Sequence, residues 1–135
     1  MSLEIEKEKK ILILGIAGGL AQITARLILE KNPQHKIIGI DTRSVEKVSA
    51  INGLECQTFK YSRGNFENLF RSHQFDYVLH LGRISHSSSS KDQLAKRLEM
   101  SVMGTNRLLD LCHHTGVKKV IILSTFHVYG ALADN

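Results

Sequence analysis

The sequence predicts an α/β domain built on a doubly wound parallel sheet of about five strands, and three observations carry that expectation. Apolar runs alternate with helical patterns along the whole chain. The runs are continuously aliphatic rather than alternating, as strands of a parallel sheet covered on both faces are. A glycine-rich turn joins the first run to the first helical pattern, the start of a unit that right-handed crossovers would extend to both sides.

Residues 1–9 alternate acid and base and read as a leader, without the apolar core of a signal peptide. Lys10 to Leu14 is a first strand that ends at Gly15. Leu20, Ile23, Thr24, Leu27 and Ile28 then recur at the spacing of the apolar face of a helix, which Asn32-Pro33 stops. Lys36 to Ile40 is a second strand that ends at Asp41, followed by a short helix over 45–51. A third strand runs from Glu55 to Tyr61, a short helix from Phe66 to Phe70, and a fourth strand from Tyr77 to Leu81. Residues 85–90 form a polar loop. Leu94, Leu98, Val102, Thr105, Leu109 and Cys112 mark one side of a long helix ended by Gly116, and Val120 to Leu123 is the fifth strand. There is no internal repeat and no linker.

The 135 residues, 42% hydrophobic and 23% charged, match one compact domain. Enzymes that bind a dinucleotide and a separate substrate usually need roughly twice as much chain. No apolar stretch is long enough to span a bilayer, so no membrane partner is expected. The excess of 18 basic over 13 acidic residues leaves a net charge of +5, but Lys7, Lys9 and Lys10 are interleaved with Glu4, Glu6 and Glu8 and no stacking aromatics accompany them. A nucleic-acid partner is therefore not expected. Cys56 and Cys112 lie far apart, without a CxxC or a histidine at metal spacing, and read as buried thiols in a reducing, cytoplasmic setting, with no metal site. His113 and His114 point about 100° apart on a helix and do not clamp a metal. His80 reads as a satisfied core residue within its strand, and His86 lacks the strand-to-helix nucleophile turn of a hydrolase.

The residues that carry chemistry begin with Gly15-Ile-Ala17-Gly18-Gly19-Leu20-Ala21. One glycine turns the chain sharply, a second lets backbone N–H groups approach a pyrophosphate, and a small third residue lets helix and strand pack closely, a role Ala21 can fill. Glycine turns also serve ordinary loops; here the turn follows a strand, opens a helix, and precedes an acid, Asp41, at the end of the next strand. A carboxylate there accepts the ribose hydroxyls of an adenosine and repels a 2′-phosphate, which favours NAD over NADP. Arg43, two residues on, can pair with a phosphate or stand as a solvated charge, so NADP stays open. No Gly-Lys-Ser/Thr closes the turn, which argues against phosphoryl transfer.

Taken together, the glycine turn, Asp41, Asp76-Tyr-Val-Leu-His-Leu-Gly82, Met100-Ser-Val-Met-Gly-Thr-Asn-Arg-Leu-Leu-Asp110, Gly116-Val-Lys-Lys-Val-Ile-Ile-Leu-Ser-Thr125 and His127-Val-Tyr-Gly130 resemble the extended short-chain dehydrogenase/reductases, the NAD-dependent epimerase/dehydratase group that acts mostly on nucleotide sugars. The resemblance implies a Rossmann fold. It implies that Gly15, Ala17, Gly18, Gly19 and Leu20 hold the pyrophosphate, and that Asp41, with Thr42 and Arg43 beside it, meets the adenosine ribose. It puts Asn65 and Phe66 beside the adenine, where the family usually has an acid and an apolar neighbour. Leu81, Gly82 and Arg83 run past the cofactor, with Arg83 where small alanines are usual, and Ser101 stands where the family helix commonly has asparagine. Thr125 matches the Ser or Thr that hydrogen-bonds the reacting substrate oxygen, while Tyr129 is not the family's catalytic tyrosine. The family's Tyr-x-x-x-Lys acid/base pair lies some two dozen residues beyond the position of Thr125, outside this chain.

The implied protein is the NAD-binding portion of a sugar-nucleotide epimerase/dehydratase-like oxidoreductase working by transient hydride transfer. Residues 10–135 would form its cofactor domain, inactive alone, either the front part of a longer chain or a naturally short relative. The alternative is a non-catalytic dinucleotide-sensing or interaction module on the same fold, which the Arg83 and Ser101 departures favour. Family enzymes often pair through helices of this half, including the one that resembles Leu94 to His114, so a homodimer is a further expectation.

Overall fold

The computed structural model describes residues 7–82, 102 and 104–124. They form five strands, β1 (Lys10–Leu14), β2 (Lys36–Asp41), β3 (Leu54–Thr58), β4 (Tyr77–His80) and β5 (Lys119–Ile122), with helices α1 (Gly19–Lys31), α2 (Arg63–Ser72) and α3 (Gly104–His114). The strands make one parallel sheet, as the aliphatic runs predict, and their order is β3-β2-β1-β4-β5. Arg83, the polar loop at 85–90, Leu94, Leu98, Ser101, Thr125 and Tyr129 lie outside the described residues.

Because side chains alternate across a strand, the aliphatic runs feed two cores. Leu12, Leu14, Ile38, Ile40 and Val78 pack under α2 and α3 with Leu69, Phe70, Leu108 and Cys112. On the other face Ile11, Ile13, Ile37 and Leu79 pack under α1 with Ala21, Ala25 and Leu29. Each fully buried aliphatic side chain contributes on the order of 1.5–3 kcal/mol. The cysteine of this core, Cys112, is a free thiol whose pKa burial pushes up to about 11.

Three local expectations change. The helical period of α1 holds, but its buried face is Ala21, Ala25 and Leu29, with Ile28 partly buried, whereas Leu20, Ile23 and Leu27 are about half exposed. Alanines face the sheet because a side chain of one carbon lets the helix axis approach it closely, and the larger aliphatics are turned away. In α3 Cys112 is buried as expected, but Leu108 joins it there while Leu109 and the preceding Val102 are exposed. No helix forms over 45–51: Val48 N–H donates to the Val45 carbonyl at 3.0 Å, and one turn sets Val45, Val48 and Ile51 against the α1-side core. These β-branched residues lose rotamer freedom in a helix, so the turn is the less costly way to bury them.

Helix ends follow the expected chemistry. α1 stops before Asn32-Pro33. Gly116, at φ +76°, ends α3 in the left-handed conformation, with Val117 N–H returning to the Cys112 carbonyl at 2.9 Å. The Ser62 side chain accepts the Asn65 N–H and caps α2.

Asp76 fastens the other end of the sheet. Its carboxylate accepts the Lys10 N–H and the Lys118 ammonium, each at 2.9 Å, while its backbone bonds Lys10 and Lys118 as well. The Lys118 and Lys10 hydrogen bonds hold this carboxyl below its ordinary value of 3.8. A depressed folded-state pKa adds stability above the unfolded value that disappears as pH falls through the folded one. Asp76→Ala should therefore destabilise the protein by about 1 kcal/mol at neutral pH. Urea melts at pH 7 and pH 3 should show that deficit shrinking at the lower pH; an equal deficit at both would contradict it.

Candidate functional site

The register brings the site together. Leu14 pairs with Ile40 on one side and with His80 on the other, so the chain leaves β1 between the ends of β2 and β4. This is the switch point of the sheet, where successive connections depart to opposite sides and a crevice opens at the strands' C-terminal ends.

Gly15 makes the exit. Its φ is +89°, and a Cβ placed on it would lie 2.5 Å from both Cα and N of Gly82. Turn and β4 end therefore meet backbone to backbone, and Leu81 N–H extends the pairing to the Leu14 carbonyl at 3.0 Å. Gly15 and Ile16 both donate to the Ile40 carbonyl, and Gly18 N–H closes the turn onto the Gly15 carbonyl at 3.0 Å. A Cβ on Gly19 would meet nothing within 4 Å, so the turn is open above that residue. No side chain caps the start of α1 and its first turn holds no acid. An uncapped N-terminus with open space above it suits an anionic group.

Asp41 is buried at the end of β2, with its side chain 5% exposed. Oδ2 accepts the Ala17 N–H at 3.0 Å, which ties the carboxylate to the glycine turn. Oδ1 accepts the Arg43 N–H at 2.9 Å. The Arg43 guanidinium completes the set, Nε to Oδ1 at 3.1 Å and Nη2 to Oδ2 at 3.0 Å. Burial works against the Asp41 charge, but the hydrogen bonds from the Arg43 side chain, the Arg43 backbone and the Ala17 backbone outweigh it and hold the carboxyl below its ordinary value. Thr42 is exposed beside the pair.

Gly15, Ala17, Gly18, Asp41, Arg43, Leu81 and Gly82 thus meet at the C-terminal ends of β1, β2 and β4, with Gly19 and Leu20 at the start of α1. Asn65 and Phe66 stand on α2, with Phe66 against Tyr61. Asn65 is in the first turn of α2, and its side-chain amide donates to the Lys60 carbonyl at 2.8 Å. Phe66 packs edge to face on Phe59 and Tyr61 and lines a cleft of about 670 Å³ between α2 and α3. The residue that sequence reasoning missed is Tyr61. Its phenol lies near the Gly15 backbone and within reach of the Asp41 and Arg43 charges; burial, then the Asp41 charge, raises its pKa. The third strand ends at Thr58 rather than at Tyr61, so Tyr61 stands just past a strand that pairs with the one ending at Asp41.

His80 differs from the satisfied core residue expected. It is partly buried at the end of β4, its Nδ1 has no hydrogen-bond partner among the described residues, and burial lowers its pKa. Among the described residues no group of three or more His, Cys, Asp or Glu side chains is placed to hold a metal, and no helix is long and apolar enough to cross a membrane.

The sequence matches the model of the NAD dependent epimerase/dehydratase family over residues 11–135. The chain belongs to that family. A dTDP-D-glucose 4,6-dehydratase of Dictyostelium discoideum is 35% identical over 94% of this epimerase/dehydratase chain, and the human dTDP-D-glucose 4,6-dehydratase is 28% identical over 93%. The chain spans 32% and 38% of those two proteins. Among solved structures, the Bordetella bronchiseptica enzyme WbmG in complex with NAD and UDP superposes with a TM-score of 0.77 at 25% identity, over 98% of this chain and 43% of that one. An ADP-L-glycero-D-manno-heptose-6-epimerase of Helicobacter pylori shares the fold, with a TM-score of 0.80 at 21% identity, over 98% of this chain and 44% of that one. The doubly wound sheet and the glycine turn are therefore those of an epimerase/dehydratase family member.

Proposed function

We propose that this chain is the NAD-binding portion of a cytoplasmic oxidoreductase that epimerises or dehydrates a nucleotide sugar. The observation that carries the reading is the 3.0 Å bond from Ala17 N–H to Asp41, which joins a ribose acceptor to a phosphate-facing turn in one rigid unit. The uncapped start of α1 and the open face of Gly19 suit the pyrophosphate. Asp41 suits the adenosine ribose and disfavours a 2′-phosphate. Further support comes from the WbmG structure, which holds NAD and UDP, and from the dehydratases among the relatives. Two free cysteines accord with a reducing compartment.

In this reading Gly15, Ala17, Gly18, Gly19 and Leu20 orient the pyrophosphate and Asp41 orients the ribose. Leu81 and Gly82 floor the crevice, and Thr125 hydrogen-bonds the reacting oxygen of the substrate. Bound NAD supplies a reversible hydride acceptor. None of the three tyrosines has a lysine four residues on: Asn65, Leu81 and Ala133 stand there instead. Residues 10–135 should therefore bind cofactor without turning over substrate.

Calorimetric titration of the folded protein tests the reading. NAD should bind, NADP about tenfold or more weakly, and Asp41→Ala should bring the two affinities together. Absence of binding by either nucleotide would overturn it.

A further inference from the structure

An ionised carboxylate offers about four acceptor positions, and all four on Asp41 are taken. Two are held by backbone N–H groups, from Ala17 in the glycine turn and from Arg43 just past β2, and are fixed by the fold. The other two are held by the Arg43 guanidinium, one nitrogen to each oxygen. A ribose diol bound to this carboxylate would need one acceptor for each hydroxyl. The only positions it can gain without unravelling the turn are those under the guanidinium.

The two partners differ in how firmly they are placed. The Asp41 side chain is 5% exposed, whereas that of Arg43 is 64% exposed. The guanidinium can therefore swing away without disturbing packed neighbours, and the ribose hydroxyls replace its bonds to the carboxylate, which stays. It also lies over the site: a Cβ on Gly18 would be 3.8 Å from Arg43 Nη2, so this group covers the approach to both the carboxylate and the phosphate-facing turn.

We propose that Arg43 is an internal competitor for Asp41, holding the two acceptor positions that an adenosine ribose needs and yielding them when the ribose arrives, so that the displaced guanidinium sets how far a 2′-phosphate is tolerated. The inference rests on the cofactor reading above and deepens it. Arg43 is thus a specificity residue of two opposite effects. It weakens binding of a nucleotide with a free 2′-hydroxyl, because the ion pair must open first. It favours one with a 2′-phosphate, because the freed guanidinium can donate two charge-assisted hydrogen bonds to it.

The experiment compares wild type, Arg43→Ala and Arg43→Gln in the intact protein, with thermal melts to confirm that each is folded. Calorimetry is run with ADP, 2′-deoxy-ADP, NAD and NADP. Loss of a partly exposed bidentate pair should tighten ADP and NAD by about two- to fivefold in Arg43→Ala. The gain should shrink with 2′-deoxy-ADP, which presents one ribose hydroxyl fewer to the vacated positions. NADP should weaken relative to NAD by about tenfold. Arg43→Gln, which keeps much of the stem without the charge, should move in the same directions. Unchanged or weaker ADP and NAD binding in the variants would overturn the proposal, since the guanidinium would then be a bystander or a contact to the ligand. An equal gain with ADP and 2′-deoxy-ADP would also overturn it, as would an unchanged NADP-to-NAD ratio. If wild type and both variants bind none of the four nucleotides, the cofactor reading fails, and the competition with it.

Discussion

Gly15→Ala should cost the protein about 3 kcal/mol or more of stability and abolish cofactor binding in whatever fraction stays folded. Two independent penalties add. The φ of +89° is a left-handed conformation that an L side chain adopts at a cost of about 1–2 kcal/mol. The new methyl would also sit 2.5 Å from two backbone atoms of Gly82. No flexible side chain is there to move aside, so the end of β1 or of β4 must shift. Either shift strains the hydrogen bonds from Gly15 and Ile16 to the Ile40 carbonyl and the one from Leu81 to Leu14. Chemical denaturation with a calorimetric NAD titration checks both parts. A variant with native stability would mean that turn and strand end are not in contact in solution.

The second large effect is expected at Gly39, in the middle of β2. A Cβ on that residue would lie 2.5 Å from Cγ1 and 2.8 Å from Cβ of Ile16, whose side chain is fully buried beneath α1. Gly39→Ala should destabilise by about 2 kcal/mol through overpacking. Ile16→Ala alone should cost a similar amount by leaving a cavity. The double variant should cost less than the sum by about 1 kcal/mol, because the shortened residue 16 takes away the closest contact. Urea denaturation of the four proteins gives the coupling. Strict additivity would show that Ile16 does not fill the space over Gly39.

The strands, their order of use and the glycine turn were legible because each rests on a one-dimensional signal. Continuous aliphatic runs mark β1, β2, β4 and β5, and Gly15 marks the exit. Which face of α1 is buried was not legible from hydrophobic spacing: Leu20, Ile23 and Leu27 weigh more in any apolar pattern than Ala21 and Ala25, yet closeness of approach to the sheet selects the small residues. A glycine inside a strand does signal close approach, but nothing local names Ile16 as the visitor. At the site, Asp41 and Arg43 are visible two residues apart, whereas the fork of the guanidinium on both carboxylate oxygens is a matter of rotamers. Tyr61 was hidden for another reason. It reaches Gly15 only because β3 pairs with β2, a relation across the sheet rather than along the chain.

The contact between Gly15 and Gly82 has a mechanical meaning. Side chains between two segments act as cushions, changing rotamer when one segment moves and sparing the other. Here two backbone segments touch with no such cushion. A displacement of Leu81 and Gly82 at the end of β4 would press directly on the turn that opens α1, and a load on that turn would press back. The crevice therefore works as one stiff joint, in which the first adjustable part is the arginine on its rim.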